Sequence, residues 1–489
     1  MKLGLALAFL SGFVALSQEI AWFRVYSFAS GASADAFALM LCAYLLGIAL
    51  GALAAHRLCA DDAGRDRMLR HASWLFAASA SAFLLPPALA GVTATAESWQ
   101  LGLPLVVLAS GLLGAVFPLV SHAAVVPDER SGANFSYLYL ANIVGSAAGS
   151  LLTGFWLLDR WPLERVALAL ALLSLAAAAA LRPRLGVLAG TAMAAVACIY
   201  SASTLYGGLY EKLQFKSGYQ PGERFARVVE NRGGVITVTA DGTVYGGGVY
   251  DGAYNVSPVA DVNGIVRAYA LAGLHPAPRE VLMIGLSTGS WALVVAEHSG
   301  VERLTIVEIN PGYLELLQHY PAVSALSRHP KVTIEIDDGR RWLVRHRARR
   351  FDAVVVNGTM HWRANATNLL SREFVALVRS ALKDGGVYYF NTTGSLRAAR
   401  TAADTFRHAV GIGNFVAASD APLALDAERF RRALDSWTLG GRPVAEKSQA
   451  EKIAAKLAGE LYVPEAQLRQ RVAAAEPITD DNMGTEWRD

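Results

Sequence analysis

Seven apolar runs fill the chain from its start to about residue 203, at about 3 to 28, 34 to 55, 72 to 93, 101 to 125, 136 to 158, 163 to 181 and 185 to 203. A helix needs roughly 20 apolar residues to cross the hydrocarbon core of a bilayer, so residues 1–203 are read as a transmembrane helical bundle. The third and fourth runs are the weakest of the seven. The pattern after Lys2 continues past Ala15-Leu16-Ser17 through Ile20, Trp22 and Phe23, which makes the first run a span and not a cleaved leader.

The remainder of the chain is different material. Of 489 residues, 53% are hydrophobic and 17% charged, too apolar for an ordinary soluble enzyme and too charged for spans alone. Most of the charge falls after Leu205, where there is enough chain for a full soluble domain. The net charge of +3 is small and its basic residues are interspersed with acids, so no nucleic-acid footprint is expected. Cys42, Cys59 and Cys198 fit neither a disulfide framework nor a metal site.

Polar groups inside the apolar half need partners or water. Glu19 and Arg24 lie at or near membrane depth in the first run; they read either as a polar substrate or proton site, or as an interfacial pair with Arg24 reaching the headgroups. Gly47 with Gly51 and Gly145 with Gly149 are small-residue faces for close helix contact, and Asn142 is a candidate for a bond between helices. Arg57, Arg65, Arg67, Arg70, Arg130, Arg182 and Arg184 fall with Lys2 on one side, against Arg160 and Arg165 on the other. The positive-inside bias makes the first side cytoplasmic.

In the second half, GVITVTADGTVYGGGVYDG at 234–252 reads as a hairpin-rich β-subdomain. From Glu280 onward EVLMIG, RLTIVEI, KVTIEI, DAVVVN and GVYYFN alternate with helical stretches, the pattern of a parallel sheet covered on both faces. Ligands of such sheets bind at the carboxyl ends of the strands. The first strand runs into GLSTGSW, where Gly285 and Gly289 permit a tight turn and close ligand approach. The same residues fit a nucleophile elbow centred on Ser287. Glu308 ends the second strand, 23 residues after Gly285, where an acid can accept from ribose hydroxyls. Asp337 and Asp338 end the third, where an acid can accept from an adenine amine or cap the next helix. Two acidic tips behind a glycine turn favour an adenosine pocket.

With SGFVALSQEIAW, SYLYLANIVGSAAGSLLTGF, YGGGVYDGAYN, MIGLSTGSW, VEINPGY, DDGRRW and HWRANATNLLSREF in view, the stretch from about Val228 to Thr393 resembles the spermidine synthase family. The whole chain looks like the bacterial proteins in which membrane helices are fused to that domain. The resemblance implies a Rossmann-like, methyltransferase-type α/β fold and S-adenosylmethionine or its decarboxylated form as cosubstrate. Gly285 and Gly289 would match the glycine loop around Ser287, Glu308 the ribose-binding acid and Asp338, beside Asp337, the acid that reads adenine. Asp251 to Asn255, including Tyr254, would line the alkyl-chain pocket.

Where that family has an Asp that takes the proton from the attacking amine, this chain has Asn357, and Met360 stands where a second Asp holds the diamine. An amide does not ionise in the accessible range. His361 is the new candidate base, and Arg363 a candidate for holding a phosphate or carboxylate.

The expected architecture is an N-terminal α-helical transmembrane bundle (1–203), a connector and small β-hairpin subdomain (204–275), and a Rossmann-like parallel-sheet domain with a helical C-terminal tail (276–489). The expected activity is a membrane-embedded transferase that moves an aminopropyl or related alkyl group to an amine or lipid-soluble acceptor. Its expected partners are a nucleoside cosubstrate, the lipid bilayer and an acceptor amine or lipid, with a homodimer as one available assembly. Two alternatives are a nucleoside- or polyamine-binding domain that regulates the bundle without turnover, and a serine hydrolase using Ser287. The setting is the inner (cell) membrane, multi-pass. Seven complete spans would carry a nucleotide site outside, so either the third or fourth run is incomplete and the domain is cytoplasmic, as expected here, or the domain is periplasmic and the cosubstrate is a different one.

Overall fold

The structure, a computed structural model, describes residues 1–60, 64–358 and 360–487. Two compact units divide the chain, Met1–Thr237 and Val238–Asp489.

Among the described residues of the first unit, seven helical stretches are long and apolar enough to cross a membrane: Lys2–Ala29, Ala34–Cys59, Arg65–Ala96, Trp99–Ala124, Ser131–Arg160, Leu163–Leu181 and Leu185–Gly218. The third and fourth are interrupted, as are the fifth, by a π-helical turn at Thr153–Leu157, and the seventh, between Tyr206 and Leu209. Arg65–Ser79 passes into a 3₁₀ turn at Ala80–Leu84, and Leu85–Ala96 restarts with Pro86 and Pro87 in its first turn, where a missing N–H costs nothing. The fourth is assembled from Trp99–Gly102, Leu103–Gly114 and Val116–Ala124. Small residues bring the helices close: a Cβ on Gly145 would lie 2.7 Å from the Phe9 carbonyl carbon, and one on Gly51 2.7 Å from that of Gly111. Asn142 Nδ2 donates to the Ala8 carbonyl at 3.0 Å.

Arg24 follows neither of its expected roles. Its buried guanidinium donates to the Asn231 carbonyl at 2.5 Å and the Leu158 carbonyl at 3.4 Å, and lies 3.8 Å from the Glu230 carboxylate. Glu230 also accepts from Leu163 N at 3.0 Å and from the Tyr210 hydroxyl at 2.8 Å. A charge at the end of an apolar helix is thus neutralised by an acid from a strand some two hundred residues later.

The hairpin-rich segment forms β1 (Arg227–Asn231), β2 (Gly234–Val238), β3 (Thr243–Gly246) and β4 (Val249–Ala253). β3 and β4 pair antiparallel across Gly247 and Gly248, whose φ of +58° and +80° suits the tight turn of a hairpin. In the second unit follow β5 (Glu280–Ile284), β6 (Arg303–Glu308), β7 (Val332–Ile336), β8 (Phe351–Val356) and β9 (Leu382–Asn391). Further on lie β10 (His408–Ile412), β11 (Phe415–Ser419), the short pair β12 (Thr438–Leu439) and β13 (Arg442–Pro443), and β14 (Tyr462–Val463).

The main sheet has the order β14-β10-β11-β9-β8-β5-β6-β7. β5 to β9 are parallel, with Met283 opposite Ile306 on one side and Val355 on the other. The expectation of a parallel sheet with a helical tail is corrected here: β11 runs antiparallel to β9, and β10 antiparallel to both β11 and β14. The reason is local, since β10 and β11 are joined by Gly413 and Asn414 alone, and so short a connection can only return antiparallel.

Helix Arg372–Ala381 illustrates how the covering layer is set. Ser371 caps it by accepting from Phe374 N, and Phe374, Val375, Val378 and Ala381 form its buried face, joining Trp342, Phe351, Tyr388 and Phe390 in the core. Because β5 has β6 and then β7 on one side and β8 and then β9 on the other, the order in which strands are added reverses at β5, between β5 and β8. A ligand crevice opens at such a switch point.

Removing Arg24 would leave Glu230 buried and uncompensated, so Arg24→Met should destabilise the detergent-solubilised protein by about 3–5 kcal/mol, and Arg24→Met with Glu230→Leu should recover most of that loss. Thermal unfolding of the two variants checks this. A single-variant change below about 1 kcal/mol would place the pair among solvated, weak ones.

Candidate functional site

The turn after β5 is built on backbone that only certain residues tolerate. Gly285 and Gly289 have φ of +93° and +76°, and Ser287 between them +47°. A Cβ on Gly285 would lie 2.6 Å from the Asn357 carbonyl oxygen, so glycine there lets the tips of β5 and β8 meet. Glu308, at the tip of β6, secures this loop: Oε2 accepts from Leu286 N at 2.7 Å, and Oε1 from Asn310 N at 2.8 Å. Burial, partly offset by these amides, pushes its carboxyl up from 4.5 to about 7. Each oxygen retains acceptor capacity, which leaves the carboxylate able to receive ribose hydroxyls.

Ser287 does not sit as a nucleophile would. Its hydroxyl donates to the main-chain carbonyl of Asp251, whereas an activated serine needs a base within hydrogen-bond reach. That bond ties the glycine loop to β4. The Asp251 carboxylate accepts from the Tyr313 hydroxyl, and burial raises its carboxyl above the usual range while Tyr313 and Arg363 pull the other way. Arg363 Nη1 donates to the Gly246 carbonyl at 3.1 Å, placing the guanidinium under the β3–β4 turn.

The remaining expected residues divide. Asp338 caps helix Gly339–Arg345, its Oδ1 accepting from Arg341 N at 2.7 Å, which leaves one carboxylate oxygen uncommitted to the cap. Asp337 forms an ion pair with Arg345 and accepts from Asp338 N at 2.9 Å. Tyr254 stacks on Tyr320 with ring centroids 3.7 Å apart. Asn255 is spent on its own turn, donating to the Ser257 and Val262 carbonyls and accepting from Ser257 N.

Beside the switch point lies an open cleft of about 170 Å³ that brings together Asp251, Asn357 and Met360. Its other polar walls, Asn263, Arg267, Asn391, Thr393 and Asn414, had no signal in the sequence reading, although Asn391 and Thr393 stand at the end of β9, where strand-end logic applies. Trp291 and Phe415 give it an apolar side, stacked with centroids 4.7 Å apart. His361 is one bond behind the wall: its backbone N donates to Thr393 Oγ1 at 2.9 Å, and its Nδ1 lies 2.8 Å from the same oxygen.

The cleft's amides form a chain with a fixed direction. Arg267 donates to Asn414 Oδ1; Asn414 Nδ2 donates to Asn391 Oδ1 at 2.7 Å, and Asn391 Nδ2 to Asn357 Oδ1 at 3.2 Å. Guanidinium has only donors, so each amide in turn must accept on oxygen and pass on N–H. The Thr393 N–H donated to Asn391 Oδ1 at 2.8 Å independently fixes the middle amide. Asn357 therefore offers N–H to the cleft, the reverse of what a carboxylate would offer.

Sequence comparison places a spermine/spermidine synthase domain at residues 270–405. The polyamine aminopropyltransferase of Desulforudis audaxviator is 34% identical over 140 residues, 27% of this chain and 50% of that protein. The spermidine synthase of Dictyostelium discoideum is 33% identical over 114 residues, 23% of this chain and 39% of that protein. The chain thus spans half or less of the length of these curated relatives. A solved spermidine synthase in complex with the transition state analogue AdoDATO aligns with a TM-score of 0.40 and 18% identity, covering 52% of this chain and 87% of that one. The matched segment holds the glycine loop, Glu308, Asp338, Asn357 and His361, while Asp251, Arg267 and Asn414 lie outside it. What the chain shares with that family by sequence is therefore a spermine/spermidine synthase domain over residues 270–405.

Proposed function

We propose that this chain is a spermidine-synthase-like transferase that takes decarboxylated S-adenosylmethionine, or its parent, and moves an aminopropyl or related alkyl group to an amine. The observation that supports it is the juxtaposition at one switch point of Glu308, a free oxygen on Asp338 and a cleft lined by Asp251 and Asn357. The amine nitrogen attacks the carbon next to the sulfonium, and an N–C bond forms. The C–S bond breaks with its electrons going to sulfur, which leaves as a neutral thioether nucleoside. A sulfonium carbon is already electrophilic, so the protein's share is orientation, a desolvated pocket and a proton acceptor. With Asn357 unable to accept the ammonium proton, we assign that task to Asp251, the carboxylate in the cleft wall, with His361 behind Thr393 in support. The apolar helices of the first unit support placing this chemistry at a membrane, and a cytoplasmic domain then requires that one of the seven does not cross completely.

Release of thioether nucleoside, followed by mass spectrometry, tests the assignment. Asp251→Asn should lower turnover at least 100-fold and His361→Ala by less than tenfold; the opposite order would make His361 the base. Asn357→Asp should raise transfer to putrescine, and only modestly. Release of no thioether nucleoside with any acceptor, while the compound still binds, would leave a binding domain in place of an enzyme.

Glu308 gives a pH signature. Glu308→Gln should weaken nucleoside binding by roughly 1.5–3 kcal/mol, and wild-type binding should tighten as pH rises through about 7, where the carboxylate forms. Stability without ligand moves the other way. The folded state holds the Glu308 proton more tightly than the unfolded chain, so its contribution is full below 4.5 and lost as pH rises through about 7. Urea titrations of both proteins across that range should show the loss in wild type and its absence in Glu308→Gln.

A further inference from the structure

Arg267 is an unusual group to find in a cleft that should hold a diamine. It enters from helix Val266–Tyr269 and is fixed on every side: Nε donates to the Gly264 carbonyl at 2.9 Å, Nη2 to the Asn263 carbonyl at 2.7 Å, and Nη1 to Asn414 Oδ1. Its guanidinium carbon stands 5.2 Å from the centre of the Phe415 ring. All these partners are neutral, and among the described residues no carboxylate lies within ion-pair distance of it. Asp261, the acid nearest in sequence, is engaged by Lys456 at 3.0 Å. Asp251, on the cleft wall, accepts from Tyr313 and has Arg363 as its neighbouring cation. Five N–H groups on the guanidinium against three bonds leave two unspent.

A cation held rigidly in a partly desolvated cleft, with no anion in contact and only Asp261, shared with Lys456, acting at longer range, is costly unless a ligand supplies a contacting anion. The same cation turns the amide chain so that Asn357 presents N–H donors. Both features ask for a carboxylate, and both work against the second ammonium of a diamine. We propose that Arg267 is the anchor for a carboxylate carried by one of the two reactants, so that the cleft serves a carboxylate-bearing reactant and not a dicationic diamine. This rests on the transferase reading above. Two sources have the required chemistry: an acceptor with an amine at one end and a carboxylate at the other, or intact S-adenosylmethionine, whose amino-acid tail keeps the carboxylate that the decarboxylated donor has lost. Arg267, Asn263, Asn414 and Phe415 all lie outside the segment that matches the family.

The test uses the full-length protein in detergent. Titration calorimetry compares intact with decarboxylated S-adenosylmethionine, and thioether release compares 4-aminobutyrate with putrescine, molecules of similar length that differ in one terminal charge. The proposal expects at least one preference of roughly tenfold or more for the carboxylate-bearing compound, of the size that a charge-assisted bond supplies. A preference in the titration identifies the donor as the source, and one in the acceptor comparison identifies the acceptor. Arg267→Gln should remove the preference and Arg267→Lys should keep part of it. Asn414→Asp, which sets a carboxylate against Arg267 while keeping its backbone bonds, should remove it as well. Preference of the wild-type protein for putrescine with decarboxylated donor overturns the proposal and leaves the transferase standing, as does a carboxylate preference that survives in folded Arg267→Gln and Asn414→Asp. Absence of both sulfonium binding and thioether release brings down the transferase reading, and this proposal with it.

Discussion

The crevice depends on the carboxylate of Glu308. Three elements converge there, because the oxygen that accepts from Leu286 N holds the glycine loop of β5 against the tip of β6, and the other oxygen closes the turn that starts the next helix. The loop cannot hold itself, since Ser287 has a positive φ, a conformation that costs about 1 kcal/mol or more for a residue with a side chain. A second restraint comes from the Ser287 hydroxyl, bound to the Asp251 carbonyl. Ligand site and loop geometry are therefore one construction. A group buried this deeply and bonded to backbone amides is stabilised as an anion by those amides and destabilised by its surroundings, and the balance leaves it near neutrality.

What was legible in the sequence was whatever is decided over short distances along the chain. The alternation of apolar strands and helices from Glu280, the glycine turn at 285–289 and the acids at the tips of β6 and β7 are all set within a few residues, and each stands where its pattern put it. The local reading had equal weight on the other side: Asp338 is a cap as well as a tip, and Asn255 serves its own turn. The polar wall of the cleft was not legible. Arg267, Asn391 and Asn414 come from three segments spread over almost 150 residues, and nothing in the surroundings of any one predicts the others. The antiparallel end of the sheet was missed although its two-residue connection at Gly413 and Asn414 was visible.

The first half, whose described helices are long and apolar enough to cross a membrane, poses a different question. Each apolar helix satisfies its own backbone, so side-chain polarity is what must be explained, and Arg24 is explained by a strand in sequence far beyond the spans. The i, i+5 spacing from Glu19 suggested a pair within one helix, yet positions five apart lie on different faces, while neighbours are three or four apart. The carboxylate that meets Arg24 is Glu230, which also accepts from Tyr210 and from the backbone of Leu163. These bonds offset part of the desolvation of the ion pair, burial remaining the larger influence on Glu230.

The same accounting explains why restoring one acid should not recreate a diamine site. A carboxylate at position 357 would still accept from Asn391 Nδ2, so the amide chain tolerates it. Arg267, however, stays at the other end of that chain with no described carboxylate in ion-pair contact and only Asp261 acting on it at longer range. The new negative charge would then be offset in part by that cation, across a cleft where low dielectric lengthens the reach of both. The second ammonium of a diamine would meet Met360, an apolar side chain. In this chain the tip of β8 carries an amide, and the amide chain that starts there ends on an arginine.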